Sequence, residues 1–373
     1  MRNLSFIVLL FLGCCISCVN RGKPATNSDV SPDTTTILPL EAGEVYYKNK
    51  TPFGEEVNLA GTQLIDEAVI FKPSESELLI KDEILVVKNL GEHPLLQFSL
   101  PNGKFVKYGK ASYGQGPDEF VYPNIVPAAD TSLLCYIFES TNQKLYQYHK
   151  SGDVIPYPFS LSPLKKKQFA SDKQLVNLNP RDFIYVETSP TGKSIFRTTA
   201  AGDSVNVKEV YNLGLDPKMK SGFSYIGDFV VNAKQNRMAY AYKYFKIIKF
   251  MDLDAQTVRT INFEKEQFDE SSLRIADGLD NNVTHYWGAC AGEHYVYFMY
   301  SGRSPVALYQ EQRRLKDKYN YYIYMEQYDW NGNPVRKYKL DHWGYFTVDE
   351  PHNKLYLLST HDDDPLFVFQ LPE

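Results

Sequence analysis

The chain has little of what enzymes commonly use to do chemistry. Its 373 residues hold seven histidines, none paired at close metal-ligand spacing, and five cysteines, three of them within the first 18 positions. No Gly-x-Ser-x-Gly or His-Glu-x-x-His occurs, and no Cys-x-x-Cys beyond residue 18, so serine-hydrolase, zincin and thiol-redox readings lack their usual supports. Gly192-Lys193-Ser194 ends like a phosphate loop, but Glu187 stands where the first glycine is required, and the segment reads as a hairpin turn. Asp362-Asp363-Asp364 lacks the alternating spacing of a calcium cage and reads as a solvated acidic loop. No catalytic residue, metal or cofactor is expected. Positive charge is not in excess either: 40 Lys and Arg face 45 Asp and Glu, which argues against nucleic acid as a partner. Lys165-Lys166-Lys167 accordingly reads as a solvated loop. Sustained helical periodicity is missing throughout.

Long apolar runs are missing too. Leu4 to Leu12 is an apolar stretch of nine residues behind the positive Arg2, too short to span a bilayer and right for a secretory signal. Ile16-Ser17-Cys18 then resembles the lipobox of bacterial lipoproteins, which implies acylation at Cys18; Gly13-Cys14 is the competing site, and Cys15 departs from the usual leucine. Residues 1–17 are expected to be removed as a signal peptide. Residues 18–45 would form the acylated cysteine and a tether of Asn, Ser, Thr, Pro and Asp that cannot bury enough apolar surface to fold. Cleavage takes away Arg2 alone, leaving 39 basic against 45 acidic residues. The location implied is the cell envelope, lipid-anchored at the outer membrane; the lack of an acidic residue close after Cys18 favours a periplasm-facing anchor.

What the chain does have is a repeat. Six times a strand of alternating apolar residues, a short polar loop and a second strand recur, the second strand ending in a polar turn at Gly103, Gly152, Gly202, Ala255 and Gly332, with Phe367 to Leu371 closing the series. The turns are 49, 50, 53 and 77 residues apart, so the fifth unit carries an insertion, located between Ser301 and about Asn320 and read as a loop. Tyr and Phe number 28 and 22 and cluster in strand-favouring runs such as Tyr295-Val296-Tyr297-Phe298-Met299-Tyr300. Units that cannot bury their faces alone, at a period near 50, predict an all-β, six-bladed β-propeller over residues 46–373. The last blade shows three strands before the chain stops at Glu373, so an N-terminal segment within Glu55 to Phe71 is expected to pair as its outer strand. Cys135 and Cys290 fall in blades two and five, too far apart for a disulfide, and read as buried small hydrophobes.

Tyr113-Gly114-Gln115-Gly116-Pro117-Asp118-Glu119-Phe120 lies where blade one hands over to blade two. On a lipoprotein of this length, it resembles the crossover motif of the TolB-like six-bladed propeller lipoproteins. The resemblance covers the whole chain and implies an interaction scaffold. Read physically, the motif is a glycine-permitted tight crossover, with Asp118 or Glu119 accepting backbone N–H groups.

A propeller turns linear positions into spatial ones. The loops between second and third strands and the crossovers between blades share one face, where the blade-five insertion brings Arg303, Tyr309, Arg313 and Arg314 beside Asp118, Asp362 and two similar approaches, His285-Tyr286-Trp287 and His342-Trp343. Aromatic rings beside polar groups suit a carbohydrate, a peptide or another small polar ligand. His285, Trp287, Arg303, His342 and Trp343 are therefore the candidate ligand-binding residues, and a non-enzymatic envelope module binding a glycan, peptide or partner protein is the expected function. A metal-assisted glycan lyase or hydrolase at the channel mouth is the alternative; simple packing of the His and Trp side chains between blades is the structural one.

Overall fold

The computed structural model describes residues 39–48, 52–64, 69–73, 76–116, 119–141, 144–157, 174–201, 204–263, 268–269, 271, 280–315 and 322–373. Cys14, Cys18, the tether up to residue 38, Asp118, Lys165 to Lys167, Gly202 and residues 316–321 of the insertion lie outside them.

Six four-stranded antiparallel blades, spanning 78–108, 123–156, 175–212, 227–263, 284–340 and 344–370, form the ring, the last completed from the N-terminal segment. Because successive side chains of a strand point to opposite faces, each strand feeds two different cores. In the second strand of blade five, Val296 and Phe298 pack with blade four while Tyr297 and Met299 pack with blade six. The apolar interior is therefore six wedges, one between each pair of neighbouring blades. Wide wedges explain the aromatic richness: large rings fill them, and their hydroxyls find backbone acceptors, as Tyr240 does on the Tyr225 carbonyl at 2.6 Å and Tyr242 on that of Leu213 at 2.7 Å. The turns between third and fourth strands need positive φ, and Gly332 at 80° and its non-glycine counterpart Ala255 at 51° both adopt it.

Three short strands from the N-terminal segment cover the outer edges of three successive blades. β1 (Gly43–Tyr47) runs parallel to the outer strand of blade four, from Gly43 opposite Arg259 to Tyr47 opposite Phe263. β2 (Val57–Leu59) runs parallel to that of blade five. β3 (Thr62–Gln63) is the fourth strand of blade six, with Thr62 opposite Val368 and Gln63 opposite Phe367. The sequence reading, which began the propeller at 46, expected neither edge: β1 straddles that boundary, and β2, inside the Glu55 to Phe71 segment expected to complete the last blade, edges blade five instead, with Val57 and Leu59 packed on its core. Capping of edges by extra backbone is a recurrent defence against edge pairing.

The insertion of blade five is not simply a loop: it contains α1 (Pro305–Leu315). Ser304 caps it, its hydroxyl accepting the Ala307 N–H at 3.2 Å, and Pro305 occupies the first turn, where its missing N–H does no harm. Ser-Pro followed by Ala, Leu, Gln, Glu and Arg was the available signal. The crossover motif acts as a latch: the Glu119 carboxylate accepts the Gly116 N–H at 2.7 Å, and a Cβ on Gly114 would lie 2.0 Å from that same oxygen. Cys135 and Cys290 are free thiols.

Candidate binding site on the looped face

The inner strand of blade five, Thr284–Ala291, does not pair evenly with Tyr295–Arg303; its register skips between Thr284 and Tyr286 and again between Tyr286 and Ala289. Such irregularities re-aim the side chains they carry. Trp287 sits in this stretch, and the next N–H, of Gly288, donates to Asp228 of blade four at 2.8 Å. Burial pushes the Asp228 carboxyl above its usual range. Trp343 arrives from the crossover into blade six, and the two indoles meet edge to face, centroids 5.2 Å apart at 82°. Tyr345 lies 5.3 Å from Trp287, and His361, whose pKa burial lowers, lies 6.1 Å from Trp343.

α1 completes the enclosure. Arg303, at the end of the second strand, donates to the Glu311 carboxylate at 3.3 Å and to the Tyr322 carbonyl at 2.6 Å, tying the helix to the sheet. Between helix and indoles is a cavity of about 380 Å³ whose walls include Trp287, Trp343, Ser301, Arg303, Leu308 and Lys243. Three donors in these walls, Ser301 Oγ, Arg303 Nε and Trp343 Nε1, are shielded from solvent and make no hydrogen bond among the described residues. Ser301 is 6% exposed.

Three of the five sequence candidates thus meet: Trp287, Arg303 and Trp343. The two histidines stand outside the cavity. His285 is fully buried and stacks on Tyr300, its backbone N–H bonded to the Lys243 carbonyl at 2.7 Å. His342 stacks on Phe367 with centroids 3.9 Å apart and holds Asp341 at 2.7 Å. His285 and Trp287 are two residues apart and would share a face in a regular strand; the register shifts on either side of Tyr286 separate them, whereas His342 and Trp343 are adjacent and point apart. Tyr309 lines the cavity and is 43% exposed; Arg313 lies 5.7 Å over its ring, and neither it nor Arg314 is among the residues that wall the cavity. Asp362 accepts the Ser359 hydroxyl at 2.5 Å. Ser301, Lys243 and His361 carried no sequence signal, because they reach the cavity from three different blades, Ser301 from the second strand of blade five and the other two from loops of blades four and six.

A second, larger space of about 930 Å³ is the central channel, open towards the turns between first and second strands. Its acidic residues hold blades together: Glu350 of blade six accepts the N–H groups of His294 and Tyr295 at 2.8 and 2.9 Å and the Tyr297 hydroxyl at 3.2 Å, and Glu77 of blade one accepts the Ile125 N–H of blade two.

Residues 52–351 match the profile of the TolB-like six-blade propeller family, which is most of the chain. The chain belongs to that family. Among solved structures, this TolB-like propeller is similar to a presumed exported protein of Bacteroides fragilis, at 11% identity and a TM-score of 0.55 over 89% of this chain and 100% of the other. It is also similar to a calcium-binding regucalcin of Agrobacterium tumefaciens, at 10% identity and a TM-score of 0.43 over 85% and 95%. At such identities the likeness concerns fold. No curated protein matches the sequence.

Proposed function

We propose that this TolB-like propeller is a non-enzymatic binding module of the cell envelope, anchored through a lipid on Cys18, and that its looped face takes a glycan or a similar small polar ligand in the cavity between Trp287, Trp343 and α1. One observation carries the reading: an aromatic corner and three unpartnered buried donors wall the same space. An unmade hydrogen bond on a buried donor costs about 1–3 kcal/mol. A ligand rich in acceptors relieves that cost while its ring covers the indoles. The signal sequence and lipobox support the envelope location, and two or more acyl chains anchor stably where one does not.

The test is a glycan array with the parent and the Trp287→Ala, Arg303→Ala variant, each checked for unchanged melting. Loss of a true anchor weakens binding by about 2 kcal/mol or more; equal binding by a folded variant removes the cavity from consideration. Turnover of a glycan dependent on an added divalent cation would replace the binding reading with the lyase or hydrolase one. Labelling with a palmitate analogue, lost in Cys18→Ala and kept in Cys14→Ala, tests the anchor.

A further inference from the structure

Beside the cavity, cations cover a row of tyrosines on the same face of blade five. Lys337 Nζ lies 4.9 Å from the centre of the Tyr300 ring and 4.2 Å from that of Tyr324. Lys339 Nζ is 4.5 Å from the Tyr322 ring, and the Arg303 guanidinium is 4.1 Å from it. Lys246, from the second loop of blade four, reaches Tyr300 at 4.3 Å. The three rings follow one another at 6.3 and 5.6 Å, so the cations form a continuous rail ending at Arg303, where it meets the cavity. Three carboxylates approach it: Glu311 at 3.3 Å from Arg303, Glu326 at 4.0 Å from Lys337, and Glu56, which precedes β2 and whose charge adds to burial in raising the pKa of Tyr324. Glu326 is itself fully buried and accepts the hydroxyls of Tyr286 and Tyr328 at 3.1 and 3.0 Å. Among the described residues no carboxylate pairs with Lys339.

We propose that this rail binds a polyanionic polysaccharide, one bearing carboxylate or sulfate groups along its length. A row of cations is a disfavoured arrangement in a chain of net charge −5 that could have placed carboxylates there, and a regularly charged chain lying along it removes the repulsion. The Tyr322 ring holds the Lys339 ammonium group in position without neutralising it. Nucleic acid is the poorer occupant, since single-strand recognition uses open aromatic faces for base stacking and these faces are covered by cations. The proposal extends beyond the cavity and shares only Arg303 with it.

The experiment measures binding of the full-length protein to polygalacturonate, chondroitin sulfate and neutral dextran at low and moderate salt. Binding to either polyanion but not to dextran, weakening as salt screens the charges, is the expected result; which polyanion binds separates carboxylate from sulfate. Lys339→Glu, and separately the Lys337→Gln, Lys339→Gln pair, weaken it at least about tenfold, as losing a hydrogen bond to a charged group implies, whereas Lys339→Arg retains it. Because Lys337 touches buried Glu326, Lys339→Glu decides if the pair does not fold. Undiminished polyanion binding by folded Lys339→Glu, no polyanion binding at all, or preference for single-stranded DNA or an acidic peptide overturns the proposal. Loss of binding in Lys339→Glu with full binding in Trp287→Ala sustains the rail while removing the cavity; the converse removes the rail and leaves the cavity.

Discussion

The central channel and the looped-face cavity are both open spaces walled by blade residues, and the larger is the weaker candidate for a ligand. In the channel the acidic groups are engaged: Glu350 takes three donors from blade five, and Glu77 takes a backbone N–H of the following blade. The unpartnered polar atoms at its wall are amide acceptors, Gln174 Oε1 and Asn177 Oδ1. At the cavity wall the atoms with no hydrogen bond among the described residues are donors, set beside two indoles and a helix that no blade requires. Size alone would choose the channel; the engagement of its side chains assigns it to holding the ring.

The sharpest way to break this contrast is chemical. Cys290 belongs to the channel wall, and burial pushes its thiol up to about 11. Only the thiolate is alkylated, so iodoacetamide at pH 8 should label it roughly 200-fold more slowly than an ordinary cysteine of pKa near 8.5. Since its ionisation lies above the working pH, the rate should climb about tenfold per pH unit through pH 8–10; fast labelling would mean that the channel wall is open. Next in size, Glu350→Ala leaves two backbone N–H groups and the Tyr297 hydroxyl without an acceptor and should lower stability by about 3 kcal/mol in urea titration, with ligand affinity unchanged. Reduced affinity at unchanged stability would reverse the roles of the two spaces.

Trp287→Ala should do the opposite, weakening a cavity ligand by about 2 kcal/mol, or roughly 30-fold, in calorimetric titration. The smallest effect is the most specific. Ser301→Ala removes a buried hydroxyl that has no partner among the described residues, so the free protein should gain up to about 1 kcal/mol, while ligand binding weakens about fivefold. If melting falls instead, the hydroxyl has a structural partner and the donor argument for the cavity fails.

Much of the fold was legible because it is written at short range. Alternation within each strand, glycine or its equivalent at the third-to-fourth turns, and a period near 50 are local or nearly local signals, and they suffice for six blades and for which loops share a face. The latch in the crossover was legible too, since Glu119 and Gly116 are three residues apart. The site was legible in part. Placing Trp287, Trp343 and Arg303 on one face needed only the topology, whereas sending His285 into the blade interface and His342 onto Phe367 depended on strand register and on a bulge.

What the sequence by itself determined, then, is the repeating unit, its number and its turns, because a strand's periodicity and a turn's φ are properties of a few neighbouring residues. Only the closed ring decided that β1 and β2 edge blades four and five, more than 200 residues downstream, and that donors from Ser301, Arg303 and Trp343 wall one cavity. Contacts between segments so far apart are set by how wedge-shaped blades pack around an axis, and no local pattern encodes that.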